Sequence, residues 1–456
     1  MDDSETESSH ESEPQLALSD ALDLPGPNSD WRVFTGPITV ADEAAPQEGQ
    51  VRATWWPRTR LRWHVEARPG RWGQLPALGP VQLTVHSVST QVDVRGAVIT
   101  RSSLPGELDG ICDQVVFGDV SAALGRVDFL LLNVPAPVDA QALSSPHAVW
   151  AGRLRLAFGA WIVVLDAGPD ATARQQELEE TAGVAATHAG RLSRDDGASF
   201  SPAQAAEVLE GLQLALSLAL ARWVAPARLI GYDHNDQSVW QKWADPKIDR
   251  WEPGLSWWNG KHTGDLRDYV TCFADVHADP LRRPVLERLA RYAVAASGAL
   301  SVSTEASMLL SQAAIELLAW VRLKPTMSRS QYDKLHFDGE LRKLLQLATI
   351  DANIPASLPH LRSYQQHRRQ TNPALSPHGD GPEILGQIRN DFTHPKLTSP
   401  NPEVYTVLDA LTDAWRLALH YLDLLILHWI DYHGSYSSRL PDQHSVYDDK
   451  PVPWQN

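Results

Sequence analysis

Two cysteines in 456 residues, Cys112 and Cys272, lie too far apart for a metal clip or a disulfide framework, and suit a reducing compartment as small buried hydrophobes. The first 30 positions contain no Lys or Arg and nine acidic residues. With no apolar core segment, this N-terminus does not read as a secretory signal, which points to a cytoplasmic protein. Long uncharged apolar runs are also missing. The most apolar late stretch, Ala414 to Ile430, is broken by Arg416, His420, Asp423 and His428, which argues against a membrane span. No HExxH, GxSxG or CxxC occurs, so zinc-hydrolase and α/β-hydrolase chemistry have no anchor, and no metal or other cofactor is expected. Gly254 to Lys261 has the outline of a phosphate loop. It fails because five residues separate Gly254 from Gly260 and His262 stands where a magnesium-binding hydroxyl is needed.

The length suggests about three domains of ~150 residues. A net charge of -16 argues against a broadly basic nucleic-acid coat, although the acidic start exaggerates the acidity of the rest. Residues 1–30 are rich in Ser, Glu and Asp and read as a disordered acidic tail. From 31 to 168 the pattern has period two: Leu61, Trp63 and Val65 alternate with Arg62, His64 and Glu66, and similar runs recur at Val81 to Val85, Val92 to Val98, Val127 to Val134 and Leu154 to Leu165. This predicts an antiparallel β-rich domain, a sandwich or an open barrel.

Residues 169–281 read as a mixed α/β region continuing that module, with helices over Glu177 to Ala189 and Pro202 to Trp223. A tryptophan-dense stretch follows, Trp240, Trp243, Trp251, Trp257 and Trp258, suited either to a core or to stacking sugars and bases. From 282 to 436 apolar stripes of period 3.6 predict helices over Pro284 to Leu300, Thr304 to Leu323, Gln331 to Leu347, Glu383 to Thr393 and Pro402 to His433. Loops containing Pro325, Pro355, Pro359, Pro373, Pro377 and Pro395 separate them. The expected fold is therefore multidomain: a β-rich N-terminal domain, an α+β middle region and an all-α C-terminal bundle of four or five helices. Residues 437–456 read as a tail.

The chemistry concentrates in Arg389-Asn390-Asp391-Phe392-Thr393-His394. An arginine followed five residues later by histidine is a weak signal, and Arg362 to His367 supplies a decoy. Requiring asparagine directly after the arginine lowers the chance expectation to roughly one in forty. On a helical wheel Ile384, Leu385, Ile388 and Phe392 share a face about 100° wide, which puts Arg389, Asn390 and His394 on the other side. Pro395 ends the helix at Thr393 or His394, at the negative end of its dipole. Cleaving RNA without a metal needs proton transfers, which histidine performs, and a donor fork for phosphoryl oxygens, which arginine provides. Asn390 can orient the histidine or donate to phosphate. A single histidine is awkward for two proton transfers; two copies across a two-fold axis would supply both.

Several residues carry a resemblance to a known family. Arg389-Asn390-x-x-x-His394, on the penultimate helix of a bundle with a long closing helix, resembles the signature of the HEPN superfamily. Gln312-Ala313-Ala314-Ile315-Glu316-Leu317-Leu318-Ala319-Trp320, Leu341 to Leu347, Ile388 to Pro395 and Tyr432-His433-Gly434-Ser435-Tyr436 resemble, more narrowly, the HEPN domain of ApeA-type abortive-infection proteins. Thr187 to Phe200 and Pro226 to Trp243 are similar to the variable region that accompanies such domains. The resemblance implies a dimerising bundle in which two motifs form a metal-independent endoribonuclease that leaves 2′,3′-cyclic phosphate ends. It implies catalytic roles for Arg389 and His394, assistance from Asn390, and an acidic partner at Glu316. It also implies an N-terminal module that restrains or triggers the nuclease on phage infection. The basic stretch Arg362, His367, Arg368 and Arg369, free of acidic residues from Pro359 to Gln370, is a candidate for RNA contacts. The expected partners are RNA, a second copy and a phage-derived trigger, with no membrane. A non-catalytic scaffold binding nucleotide or RNA, and a carbohydrate- or ligand-binding protein using the β domain and the tryptophans, are the competing readings.

Overall fold

The computed structural model describes residues 13–41, 45–55, 58–66, 78–87, 91–103, 107–252, 255–258, 260, 262–299, 303–371, 378–394, 403–441 and 449–455. The chain divides into two compact units. One comprises Met1–Leu156, Trp161–Pro202 and Pro226–Pro246; the other comprises Ala157–Ala160, Ala203–Ala225 and Lys247–Asn456. The region 169–281, expected to continue the N-terminal module, is thus shared between the two.

The first unit is built from strands β1 (Gln15–Leu16), β2 (Trp31–Val40), β3 (Gln47–Thr54), β4 (Arg60–Glu66), β5 (Gly79–Pro80), β6 (Leu83–His86), β7 (Gln91–Val94), β8 (Val98–Ser103), β9 (Glu107–Cys112), β10 (Gln114–Gly118), β11 (Arg126–Leu132), β12 (Gln141–Ser144), β13 (Val149–Phe158) and β14 (Trp161–Ala167). Helix α1 (Ala171–Thr181) and strands β15 (Ala186–Arg194), β16 (Ala225–Tyr232) and β17 (Ser238–Ala244) complete it. They form an eight-stranded sheet in the order β5-β8-β9-β4-β3-β2-β6-β7 and a nine-stranded sheet in the order β1-β12-β13-β14-β15-β11-β16-β17-β10. The period-two pattern is realised on β4, where Leu61, Trp63 and Val65 are buried while Arg62 and Glu66 face out. The two sheets meet through Trp31, packed edge-on against Trp55 at 4.6 Å and Trp243 at 6.0 Å between ring centroids.

Sheet pairing overrides two local expectations in this unit. The helix expected over Glu177 to Ala189 stops at Thr181, where Ala182 turns left-handed (φ 46°), and β15 then pairs with both β11 and β14. Residues 13–30, expected in a disordered tail, are held in place. β1 lies parallel to β12, the Leu18 amide donates to Asp166 at 2.8 Å, and Arg174 donates to the carbonyls of Leu24 and Pro25. The rest of that expectation, residues 1–12, falls outside the described residues.

The second unit holds α2 (Pro202–Ala219), α3 (Thr263–Ala278), α4 (Arg283–Gly298), α5 (Thr304–Arg322), α6 (Arg329–Tyr332), α7 (Phe337–Leu347), α8 (Pro359–Thr371), α9 (Gly381–Thr393) and α10 (Leu408–Trp429), with a short hairpin β18 (Ser435–Tyr436) and β19 (Lys450–Pro451). Over 282–436, where four or five helices are expected, the described residues hold seven, α4 to α10. α3 lies in the region 169–281, at a place where no helix is expected. The helix expected over Gln331 to Leu347 is two: α6 closes with a capping box between Ser328 and Gln331, and α7 restarts after His336. The stretch after Pro359, expected as a loop, is α8. Proline fits the first turn of a helix, and Asp413 of α10 accepts the free amides of His360 and Leu361 at 3.0 and 3.1 Å. α10 starts at Leu408, after a 3-10 turn at Glu403–Thr406, and ends at Trp429.

α5 with its short extension, Thr304–Thr326, is long and apolar enough to cross a membrane by length and composition; half of its most apolar stretch is buried in the protein. The five clustered tryptophans are all at most 5% exposed, so they are core and offer no stacking platform. The outline of a phosphate loop cannot be followed, since Gly254 and Lys261 fall outside the described residues. Of the expected tail, Ser437 to Leu440 is buried. Arg439 pairs with Asp423 of α10, both 5% exposed or less, and donates to the Leu255 carbonyl at 2.7 Å.

Two buried ionisable sites, His188 and the Asp423–Arg439 pair, make stability contributions that can be measured. His188 is wholly buried, and desolvation, opposed by Asp166, lowers its pKa to about 4. The unfolded chain therefore binds the extra proton between about pH 6.5 and 4, and stability falls as pH falls through that window, by roughly 3 kcal/mol at pH 4 from this group. Urea midpoints of His188→Gln should fall less steeply with acid than those of wild type; equal slopes would refute the assignment. Arg439→Met should cost about 3–5 kcal/mol by stranding Asp423, and adding Asp423→Leu should recover part of it. If the double variant were the less stable one in the same urea series, the pair would be stabilising outright.

Candidate functional site

α9 is fixed at one end and open at the other. Its N-cap, Asp380, accepts the Glu383 amide at 3.0 Å and takes a two-pronged pair from Arg342 of α7, Nε to Oδ2 at 2.7 Å and Nη2 to Oδ1 at 3.0 Å. Pro382 sits in the first turn, and buried Glu383 accepts the His378 amide at 2.7 Å. Gly381 has no room for a side chain: a Cβ would stand 2.6 Å from the Tyr421 hydroxyl of α10. Ile384, Leu385 and Ile388 are fully buried, as the wheel predicts. Phe392 is half-buried and stacks on Tyr405 at 5.6 Å.

The motif occupies the open end. Asn390 and His394 are exposed, and the His394 amide donates to the Asn390 carbonyl at 2.9 Å. His394 leaves the helix with φ -135° and ψ 61°, so the helix ends where the following proline predicts; Pro395 itself falls outside the described residues. Among those residues the imidazole has no hydrogen-bond or ion-pair partner. Arg389 departs from the wheel. It is only about one-third exposed, lines a 10 Å³ apolar crevice with Met308, Leu309 and Phe392, and turns toward Glu316 of α5, Nη2 to Oε1 at 3.5 Å. The long arginine stem lies along apolar surface while its head reaches a carboxylate, so Arg389 is not simply on the outward side with Asn390 and His394. Its Nη1 also approaches Asn390 Oδ1 at 3.4 Å.

Around this pair stand further groups. Gln312, from the stretch that carries the resemblance, is buried and donates to Glu316 at 3.3 Å; Glu340 and Tyr332 are not singled out by the sequence. Glu340 of α7 is buried, and desolvation raises its pKa, with the Tyr332 hydroxyl bond opposing and the Glu316 charge adding. Tyr332 is raised in turn, first by burial and then by its bond to Glu340. The one signal in the sequence was a glutamate next to the apolar stripe Leu341, Leu344 and Leu345.

Of the four basic candidates, Arg368 is joined to the motif helix: it donates to Asp391 at 2.6 Å and to Tyr364 at 2.9 Å. Burial is the largest single influence and opposes its charge, but the bonds to Tyr364 and Asp391 together with the charges of those groups leave the guanidinium pKa raised. His367 lies 3.5 Å from Glu403, both exposed. Arg362 and Arg369 are exposed and make no ion pair among the described residues. No group of three or more His, Cys, Asp or Glu among those residues is arranged to hold a metal.

Chemically, the arrangement offers an accessible imidazole, an amide and a loosely held guanidinium on one helix end, with a second guanidinium, Arg368, alongside. It is a surface and not a closed pocket.

Two family models match this chain, the YopA central domain over residues 119–254 and the YopA C-terminal domain over residues 279–449. The second covers the whole motif. The chain is also similar to the SPbeta prophage-derived uncharacterized protein YopA of Bacillus subtilis (strain 168), 27% identical over 449 residues, which is 94% of this chain and 96% of that protein. No solved structure matches. None of these names states an activity.

Because Glu316 and Arg389 are each a third or more exposed, their coupling should be small. A double-mutant cycle with Glu316→Ala and Arg389→Ala, read by urea unfolding, should give under about 1 kcal/mol. A coupling of several kcal/mol would mark the pair as structural.

Proposed function

We propose that the chain is a metal-independent endoribonuclease of the HEPN type, acting as an RNA-cleaving effector against phage, with the β-rich N-terminal part as sensor or regulator. The observation that carries this reading is the exposed end of α9, where His394 and Asn390 are accessible and Arg389 is held only by long contacts, 3.5 Å to Glu316 and 3.4 Å to Asn390. In this reading His394 takes the proton of the ribose 2′-OH as that oxygen attacks phosphorus, and Arg389 donates to the non-bridging oxygens. The 5′ oxygen leaves with a proton from His394 of a second copy, giving a 2′,3′-cyclic phosphate. Glu316 keeps Arg389 extended until phosphate replaces it, and Arg362, His367 and Arg369 contact the RNA backbone. Arg368, engaged with Asp391, fixes α8 beside the motif. A relative borne by a prophage suits a role in conflict between phages.

One observation favours a second reading, a non-catalytic RNA-binding scaffold: Arg389 already has a carboxylate partner, and its nearby crevice is too small for a ligand. The two readings separate in one experiment. Full-length protein incubated with total RNA in EDTA should yield discrete fragments with cyclic phosphate ends. Arg389→Ala and His394→Ala should cut at least about 100-fold more slowly while melting within a few degrees of wild type. Folded variants that cut at the wild-type rate, or a wild type that does not cut in any oligomeric state, would leave the scaffold.

A further inference from the structure

The eight-stranded sheet carries a charge arrangement that no ion pair among the described residues neutralises. In the β2-β3 register Arg32 stands opposite Arg52, and in the β3-β4 register Arg52 stands opposite Arg62. Three exposed arginines therefore lie in one row across three adjacent strands. Like charges directly opposite each other on a sheet are unfavourable, and exposed faces ordinarily alternate signs. The same face does so one row away: His64 Nδ1 lies 2.8 Å from Asp109, and Arg101 lies 3.8 Å from both Asp109 and Glu107. The arginine row has no such relief. Among the described residues none of the three makes an ion pair, and the Arg52 Nε donates only to Gln50, at 2.9 Å.

Two of the three, Arg52 and Arg62, line a cleft of about 430 Å³ whose polar wall also includes Asp30, Gln50, Thr54, Thr100, Arg101 and Asp109. That volume lies within the ordinary range for small-ligand sites. The lining brings three guanidinium groups against two aspartates, and Asp109 is already engaged by His64 and Arg101. Facing guanidinium forks match tetrahedral phosphate oxygens in geometry and in charge. The two threonines, Gln50 and Asp30 are of the kind that read sugar hydroxyls and base edges.

We infer that this cleft binds a small ligand bearing two or more phosphates, a nucleoside polyphosphate or pyrophosphate, through Arg52 and Arg62. All its lining residues precede residue 119, so it lies outside both matched family models and apart from the α9 motif. The inference stands whether or not the chain cuts RNA.

Calorimetric titration of the full chain with pyrophosphate and with ATP, at matched ionic strength against chloride, tests it. Both should bind saturably in wild type. Arg52→Ala and Arg62→Ala should each weaken binding at least about tenfold, and each unliganded variant should melt no lower than wild type, because it removes a like-charge opposition. ATP binding tighter than pyrophosphate identifies a nucleotide; equal affinities identify the phosphates as the whole recognition element. Absence of saturable binding for both at millimolar ligand overturns the inference. So does binding that survives both arginine variants, or that is lost instead in Arg389→Ala.

Discussion

The helical unit is organised by one constraint, the burial of α10 on nearly all sides. A helix that is apolar all round must be enclosed by other elements. From Leu417 to Leu427 every residue is buried, so α4, α5, α7, α8 and α9 are arranged about it. Its buried polar groups are then pressed to find partners, since an unpaired buried polar group is costly, and four of them become tethers. Asp413 receives the first amides of α8, Trp415 Nε1 donates to Ser307 of α5 at 2.9 Å, the Tyr421 hydroxyl donates to the Asp351 carbonyl at 3.3 Å, and Asp423 holds Arg439. The start of α9 is seated on the same post through Gly381. What α10 does not cover is the far end of α9, and that is where the motif lies.

The β-rich unit follows a different rule. Its strands alternate inward and outward residues, so its inner faces are fixed by apolar burial while its outer faces are free to vary in charge. The row Arg32, Arg52 and Arg62 belongs to that free side, and nothing in the packing of Leu61, Trp63 and Val65 requires it. A charge pattern that the packing does not need, and that no ion pair among the described residues compensates, is a pattern that an outside group can use.

Much of this was legible before the structure. Period-two runs located β4, β6 and β11, and period-3.6 stripes located α4, α5, α9 and the body of α10, because in each case the sequence pattern and the burial coincide. The failures have a common cause, partners remote in sequence. α8 was read as a loop since its cap comes from Asp413, 53 residues away from His360. The expected helix over Glu177 to Ala189 runs into the first residues of β15, whose conformation is imposed by neighbours on both sides. The segments 13–30 and 437–440 were read as tails since their anchors, Asp166, Arg153, Arg174 and Asp423, lie far along the chain. At the site, the wheel placed Cα positions correctly, but it could not place an arginine head at the end of a flexible stem, nor reveal Tyr332 and Glu340 beside Glu316.

The two ends of α9 differ in how firmly their arginines are paired. At the N-terminal end Asp380 and Arg342 meet in a two-pronged pair at 2.7 and 3.0 Å, a geometry that resists exchange. At the C-terminal end Arg389 meets Glu316 through one contact at 3.5 Å, partly in solvent. An exposed contact of that kind is weak, and a phosphate offering several oxygens to the same guanidinium competes with it on favourable terms. Were the Arg389 pair as tight and as buried as Asp423 with Arg439, taking up phosphate would first mean stranding a buried carboxylate, at a cost of several kcal/mol. The fold thus keeps its strong pairing at the capped start of α9, and its weak one at the exposed end that carries Arg389, Asn390 and His394.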